Sequence, residues 1–118
     1  MKKRRGTAIL ETSKGILLTS INGNMFLLPG GEAEKGESRF CAAIRELEEE
    51  TGLIAYQAEV IFRHESHANE HTVVLVKARG TPKPKNEVKH LNYYKPGNIK
   101  NLSQGTRDII KKYYEWKR

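Results

Sequence analysis

Apolar residues in this chain gather into short runs separated by Gly, Pro and Asn, and at two places they recur at helical spacing. Gly6–Glu11 and Gly15–Ile21 read as strands joined by the turn-forming group Thr12-Ser13-Lys14-Gly15. Asn22-Gly23-Asn24 is the next turn, and Met25–Leu28 follows as a third strand, so a β-hairpin is the expected product. Pro29-Gly30-Gly31 then breaks the strand, and Glu32–Glu37 is a polar loop. From Ser38 to Thr51 the period changes: Phe40, Ala43, Ile44 and Leu47 stand at i, i+3, i+4 and i+7, the apolar stripe of a helix. Ser38 or Gly36 caps its start, Glu37 suits the helix dipole there, and Gly52 is placed to end it.

The second half repeats the scheme. Ala55–Arg63 and Thr72–Arg79 are strand candidates, the second rich in β-branched residues. Between them His64-Glu65-Ser66-His67-Ala68-Asn69-Glu70-His71 suits either a metal or acid/base site or a polar hairpin tip with some substrate contact. Gly80–Asn86, with Pro82 and Pro84, is a stiff loop. Val88–Lys95 is a further strand that Pro96-Gly97-Asn98 ends, and Ser103–Trp116 is a closing helix with Ile109, Ile110, Tyr113 and Trp116 on one side. Trp116 and the tyrosines suit packing against the sheet, with base stacking as the alternative. This order of elements fits an α/β chain with a mixed sheet covered by helices.

Composition narrows the class. A chain of 118 residues, 37% hydrophobic and 30% charged, fits one globular domain spanning residues 1–118. No apolar run approaches the length of a membrane helix, so no membrane partner is expected. Met1-Lys2-Lys3-Arg4-Arg5 resembles the start of a signal peptide, but Glu11 and Lys14 interrupt what would have to follow. The lone Cys41 excludes an internal disulfide and fits a reducing, cytoplasmic setting; beside Ala42 it reads as a small buried or half-buried residue.

The net charge of +7 matters less than its segregation. Gly31–Leu53 holds seven of the fourteen acidic residues against Lys35, Arg39 and Arg45, a local net of −4, which leaves +11 elsewhere. An acidic patch in a basic surround suits a metal-assisted site for a polyphosphate. On the predicted helix Glu46, Glu49 and Glu50 share a sector roughly 100° wide, while Glu48 points away. Such pairs repel by roughly 0.2–0.5 kcal/mol each, and negative charge near a helix C-terminus opposes the dipole. The pattern fits a hard divalent cation taking oxygen ligands, or a solvated acidic face.

Gly31, Glu37, Arg45, Glu46, Leu47, Glu49, Glu50, Gly52 and Leu53 fall at the spacing Gly, five residues, Glu, seven residues, Arg-Glu, aliphatic, any, Glu-Glu, any, Gly, aliphatic. This stretch resembles the Nudix box, and Phe26-Leu27-Leu28-Pro29-Gly30 resembles the family's lead-in strand. The resemblance implies a Nudix-type α/β/α sandwich with a mixed β-sheet. It implies hydrolysis of a nucleoside diphosphate linked to another moiety, with Mg²⁺ as cofactor and Mn²⁺ as the alternative. Glu46, Glu49 and Glu50 then match the family's metal-binding glutamates, and Gly30 a position whose backbone carbonyl joins the metal shell. Arg45 matches an arginine that holds the glutamates in place, Glu37 supports the loop and Gly31 opens the box. Glu49, Glu50 and Arg45 are the expected catalytic set; the general base is expected among Glu50, Glu70 and Glu87.

A small phosphorylated nucleotide is the expected partner, first a nucleoside triphosphate or an oxidised purine triphosphate. A nucleotide sugar, a dinucleoside polyphosphate and a diphosphoinositol polyphosphate stay open. The alternatives are an RNA- or nucleotide-binding module on a Nudix-like fold and an RNA 5′-end pyrophosphohydrolase. Glu46, Glu49 and Glu50 weigh against a pure binder, because a polyanion binder has no use for a repulsive acidic cluster.

Overall fold

Every second residue of the central strands is claimed by a different face, and that alternation builds the molecule. The computed structural model describes residues 1–98 and 101–118. Along the chain come β1 (Lys3–Ile9), β2 (Glu11–Thr12), β3 (Gly15–Ser20), β4 (Gly30–Glu32), α1 (Arg39–Thr51), β5 (Ile54–Glu65), β6 (Asn69–Arg79), β7 (His90–Tyr94) and α2 (Gln104–Lys117). One sheet has the order β4-β1-β6-β5, with β1 parallel to β6 and antiparallel to β4; the other, β2-β3-β7, is antiparallel. Ile9, Ile16, Leu18 and Val73 join Ile109, Ile110 and Tyr113 of α2 in one core. Ala8, Leu10, Leu17, Val74 and Val76 join Ala43 and Leu47 of α1 in the other. Two helices thus cover the opposite faces of a mixed β-layer, the α/β/α sandwich expected.

Helix α1 is punctuated at both ends as expected. Ser38 Oγ accepts the Cys41 N–H at 3.0 Å, and Gly52, left-handed at φ 76°, donates its N–H to Glu48 O at 2.8 Å. Ala42, Ala43, Leu47 and Thr51 are its buried residues, with Phe40 and Ile44 at the margins of that face. Cys41 is exposed, not buried: one residue, about 100° of rotation, turns it away from Ala42. The helix lies directly on β1 because residue 6 is glycine; a Cβ there would overlap Arg39 O and Ala43 N.

Three other expectations change. Met25–Leu28 is not a strand and makes single bridges only, Thr19 to Leu27 and Phe26 to Leu102. The strand is instead the Gly30-Gly31-Glu32 segment expected to break it, antiparallel to Arg5–Thr7. Glycine's poor strand propensity is overridden there because a Cβ at residue 30 would overlap the Gly6 carbonyl of β1, and one at residue 31 would displace the Glu46 carboxylate of α1. The expected first hairpin is reduced to a short pairing, since β1 joins β6 and only Glu11 and Thr12 turn back onto β3. Trp116 remains 44% exposed and stacks on Tyr113 rather than on the sheet, because the last turn of α2 runs past the core. Among the described residues no helix is long and apolar enough to cross a membrane.

Candidate active site

The box folds into a helix lying on a strand, and the crossing brings its acidic residues together. Glu46, Glu49 and Glu50 line a cleft of about 550 Å³ with Asn86 and Glu87. β4 forms the floor: the Gly30 N–H donates to Glu50 Oε1 at 3.3 Å, and a Cβ on Gly31 would overlap the Glu46 carboxylate. Gly31 is therefore required by the place that the Glu46 carboxylate occupies.

Arg45 organises the rest. Its Nε and Nη2 donate to the two Glu37 oxygens at 2.7 and 2.9 Å, and its Nη1 to Glu46 at 3.3 Å and Glu49 at 3.1 Å. Nη2 also reaches Glu32 O at 3.3 Å. The guanidinium bonds, followed by the Glu34 N–H, hold the Glu37 carboxyl down to about 2, and Glu37 in turn raises Arg45. Glu50 is pushed up to about 7, first by burial and then by the Glu46 charge; the Gly30 N–H and Arg5 oppose this. Glu46 also moves up, through burial and then its hydrogen bond to Glu49, against the pull of Arg45.

Two residues here were not singled out from sequence. Arg5, read only as part of a basic N-terminus, reaches under the helix. Its Nη2 donates to Leu28 O and its Nε to Thr7 Oγ1, each at 3.3 Å. It shares a recess of about 250 Å³ with Glu46, Glu50 and Glu87. Burial lowers its basicity and the charges of Glu50 and Glu46 restore part of it.

Asn86 is the second. Its Nδ2 donates to Glu49 O at 2.8 Å, while the N–H groups of Lys85 and Lys83 reach Glu50 O and Thr51 O. The proline-containing loop thus satisfies the open carbonyls at the end of α1. Asn86 sits at φ 56°, a conformation asparagine tolerates, and so sets Glu87 on the cleft. The Asn-Glu pair after Pro-Lys-Pro-Lys was the available signal.

The other general-base candidate lies elsewhere: Glu70 pairs with Arg39 at 3.7 Å, at the opposite end of α1. The histidine-rich stretch is mostly strand, with His64 opposite His71 and only Ser66–Ala68 left as the tip. None of the three histidines lines the cleft. His71 bridges Thr7 Oγ1 at 2.8 Å and Ser66 Oγ at 3.2 Å, and burial, followed by the charge of Arg5, lowers it to about 4. Both ring nitrogens of His64 are buried without a partner among the described residues.

The cleft fits a hard divalent cation by its donors. They are carboxylate oxygens, and burial followed by the neighbouring glutamates makes two of the three carboxylates costly to ionise, a cost that a bound cation would offset. Among the described residues no three acidic, histidine or cysteine side chains already converge on one ligation point; Glu46 and Glu49 each give Oε1 to Arg45, so the other oxygen of each would take a metal.

Comparison with known proteins agrees with this geometry. The NUDIX domain model matches residues 2–116. The ADP-ribose pyrophosphatase of Methanocaldococcus jannaschii is 31% identical over 92% of this chain and 71% of its own length. A Chromobacterium violaceum structure, solved as a candidate nudix hydrolase family member, is 38% identical with a TM-score of 0.90, over 98% of this chain and 78% of that one. A MutT NUDIX hydrolase from Burkholderia pseudomallei, 20% identical over 94% of this chain and 97% of its own, shares the fold with a TM-score of 0.74. A full-length family match and an uninterrupted box on a helix over Gly30-Gly31 lead to one assignment: this chain belongs to the NUDIX domain family, as a hydrolase of the pyrophosphohydrolase type.

Proposed function

We propose that this chain hydrolyses a phosphoanhydride bond of a nucleoside triphosphate or oxidised purine triphosphate, with Mg²⁺ held by Glu46, Glu49, Glu50 and the Gly30 carbonyl. The observation that carries this reading is that Glu46, Glu49 and Glu50 line one cleft, two of them partly buried beside one another. Bound there, Mg²⁺ neutralises phosphate oxygens and acidifies water; Mn²⁺ offers the same chemistry.

The protein's own groups do the rest. Arg45, anchored by Glu37, holds Glu46 and Glu49 in position. Glu50 is the first choice to take the proton of the attacking water, at the Oε2 that Gly30 leaves free, and Glu87 is the second. Arg5 adds a cation at the inner end of the cleft, which favours a substrate with more phosphate charge. The exposed, unpaired Cys41 supports a cytoplasmic setting. A second reading, ADP-ribose as substrate, draws on the activity named for the M. jannaschii relative.

Chromatographic separation of the products formed from nucleoside triphosphates, oxidised purine triphosphates, ADP-ribose and dinucleoside polyphosphates tests this, with Mg²⁺ or EDTA, for wild type and Glu49→Gln. A triphosphate gives a nucleoside monophosphate and pyrophosphate, ADP-ribose gives AMP and ribose 5-phosphate, and a dinucleoside polyphosphate gives two nucleotides. Metal-dependent turnover of triphosphates that Glu49→Gln abolishes supports the first reading. Turnover of ADP-ribose alone replaces it with the second, and turnover unaffected by EDTA ends both.

A further inference from the structure

A second groove, of about 520 Å³, opens where the two sheets part, between the β2–β3 turn and the end of the β5–β6 pair. It does not include any of the box glutamates. Leu10, Leu53 and Val76 make its floor, and Tyr56 and Tyr93 line it. Tyr56 is 56% exposed, so its ring is open to a ligand. A cation stands against each ring: Arg79 is 4.9 Å from the Tyr56 centroid, and Lys14 Nζ is 5.8 Å from that of Tyr93. Lys77, on the β6 wall, is the second lysine that lines the groove. The one acid lining the groove, Glu11, is already engaged, accepting from Tyr113 Oη at 2.6 Å and Lys117 Nζ at 2.8 Å.

An apolar floor, two aromatic rings and the positive charges of Lys14 and Lys77 in the lining match one chemistry: a flat base carrying a phosphate. A purely apolar ligand would gain nothing from the two lysines, and a bare anion nothing from the rings. We propose that this groove is a second nucleotide site, with the base against Tyr56 and Tyr93 and the phosphate towards Lys14 and Lys77. The site also adjoins the first. Gly80, Thr81 and Pro82 of the proline-containing loop line the groove, while Asn86 and Glu87 of the same loop line the glutamate cleft. The nucleotide comes either free in solution or as one unit of a single-stranded nucleic acid, and both present the same base and phosphate. None of this depends on which substrate the glutamate cleft hydrolyses.

Amide NMR spectra of the whole chain in EDTA, titrated with AMP, test the site; AMP has no phosphoanhydride bond to lose. The expected result is saturable movement of the Lys14, Gly80 and Thr81 amides. Tyr56→Ala, at an exposed ring, and Lys77→Glu, at an exposed lysine, should each weaken binding about five-fold or more. Movement confined to the Gly30 and Gly31 amides overturns the proposal, as does no movement up to about 10 mM or an affinity within about two-fold of wild type in both variants. Equal shifts with inorganic phosphate would also overturn it, since the groove would then read charge alone. A short oligoadenylate separates the sources. Tighter, steeply salt-dependent binding than AMP identifies a strand, and equal affinity identifies a free nucleotide.

Discussion

Arg45 and Glu37 meet through two parallel bonds, Nε to Oε2 at 2.7 Å and Nη2 to Oε1 at 2.9 Å, with the same guanidinium reaching Glu46 and Glu49. Eight residues apart in sequence, they join the loop before α1 to the helix itself. Glu37 therefore acts on the candidate metal ligands only through Arg45. Glu37→Gln keeps the shape and removes the charge-assisted pair. The expected outcome is a loss of about 10–100-fold in kcat or metal affinity, with KM less affected, measured by initial rates across a metal titration. Glu37→Ala should cost at least as much.

Glu50 is a liability to the metal-free fold and an asset to the loaded one. Its carboxyl is buried against Glu46, and the Gly30 N–H and Arg5 compensate only in part. Glu50→Gln should raise Tm in EDTA, by the equivalent of about 1–3 kcal/mol, while weakening divalent-cation binding. Thermal unfolding with EDTA and with Mg²⁺, compared between the two proteins, checks both halves. A lower Tm in EDTA for the variant would show that the carboxylate is already balanced.

Gly31 and Gly6 separate function from folding. A methyl at residue 31 meets first the Glu46 side chain, which can move, so Gly31→Ala should lose less stability than Gly6→Ala but bind metal at least about ten-fold more weakly. A methyl at residue 6 meets the backbone of α1, so Gly6→Ala should cost about 1–3 kcal/mol or more. Denaturant unfolding and metal titration of both variants test the contrast.

His71 sets an acid limit. It is 6% exposed and lowered to about 4 in the folded chain, against an ordinary value near 6.5. Between those values the unfolded chain binds the extra proton, so stability falls as pH drops from about 6.5 to about 4, by at most about 3 kcal/mol. His71→Gln can still bond Thr7 and Ser66 and should flatten that slope in pH-dependent denaturant melts. An unchanged slope would assign the acid sensitivity to other groups.

Local chemistry made the site's core legible. Ser38, Gly52 and the stripe including Ala43 and Leu47 lie within one helix, so spacing alone was enough to locate α1 and gather Glu46, Glu49 and Glu50 on it. What was hidden depends on partners distant in sequence. Gly30-Gly31 reads as a breaker until β1 lies beside it. Arg5 looks like a leader charge until β4 and α1 enclose it. Glu70 and Glu87 are equivalent as letters; topology sends one to Arg39 and the other to the cleft. Trp116 and Cys41 were misjudged because the end of a helix and the edge of its face are fixed by what lies opposite.

The parallel pairing of β1 with β6 joins Lys3–Ile9 to Asn69–Leu75 and so orders the assembly of the molecule. All the box residues have been synthesised by Leu53, yet the strand beneath them gains its second neighbour only once Leu75 is available. A nascent chain therefore carries the acidic helix before the strand under it is secured on both sides. Closing that long loop is an intrinsically slow step, and the glutamate cleft should be among the last parts of the protein to take shape.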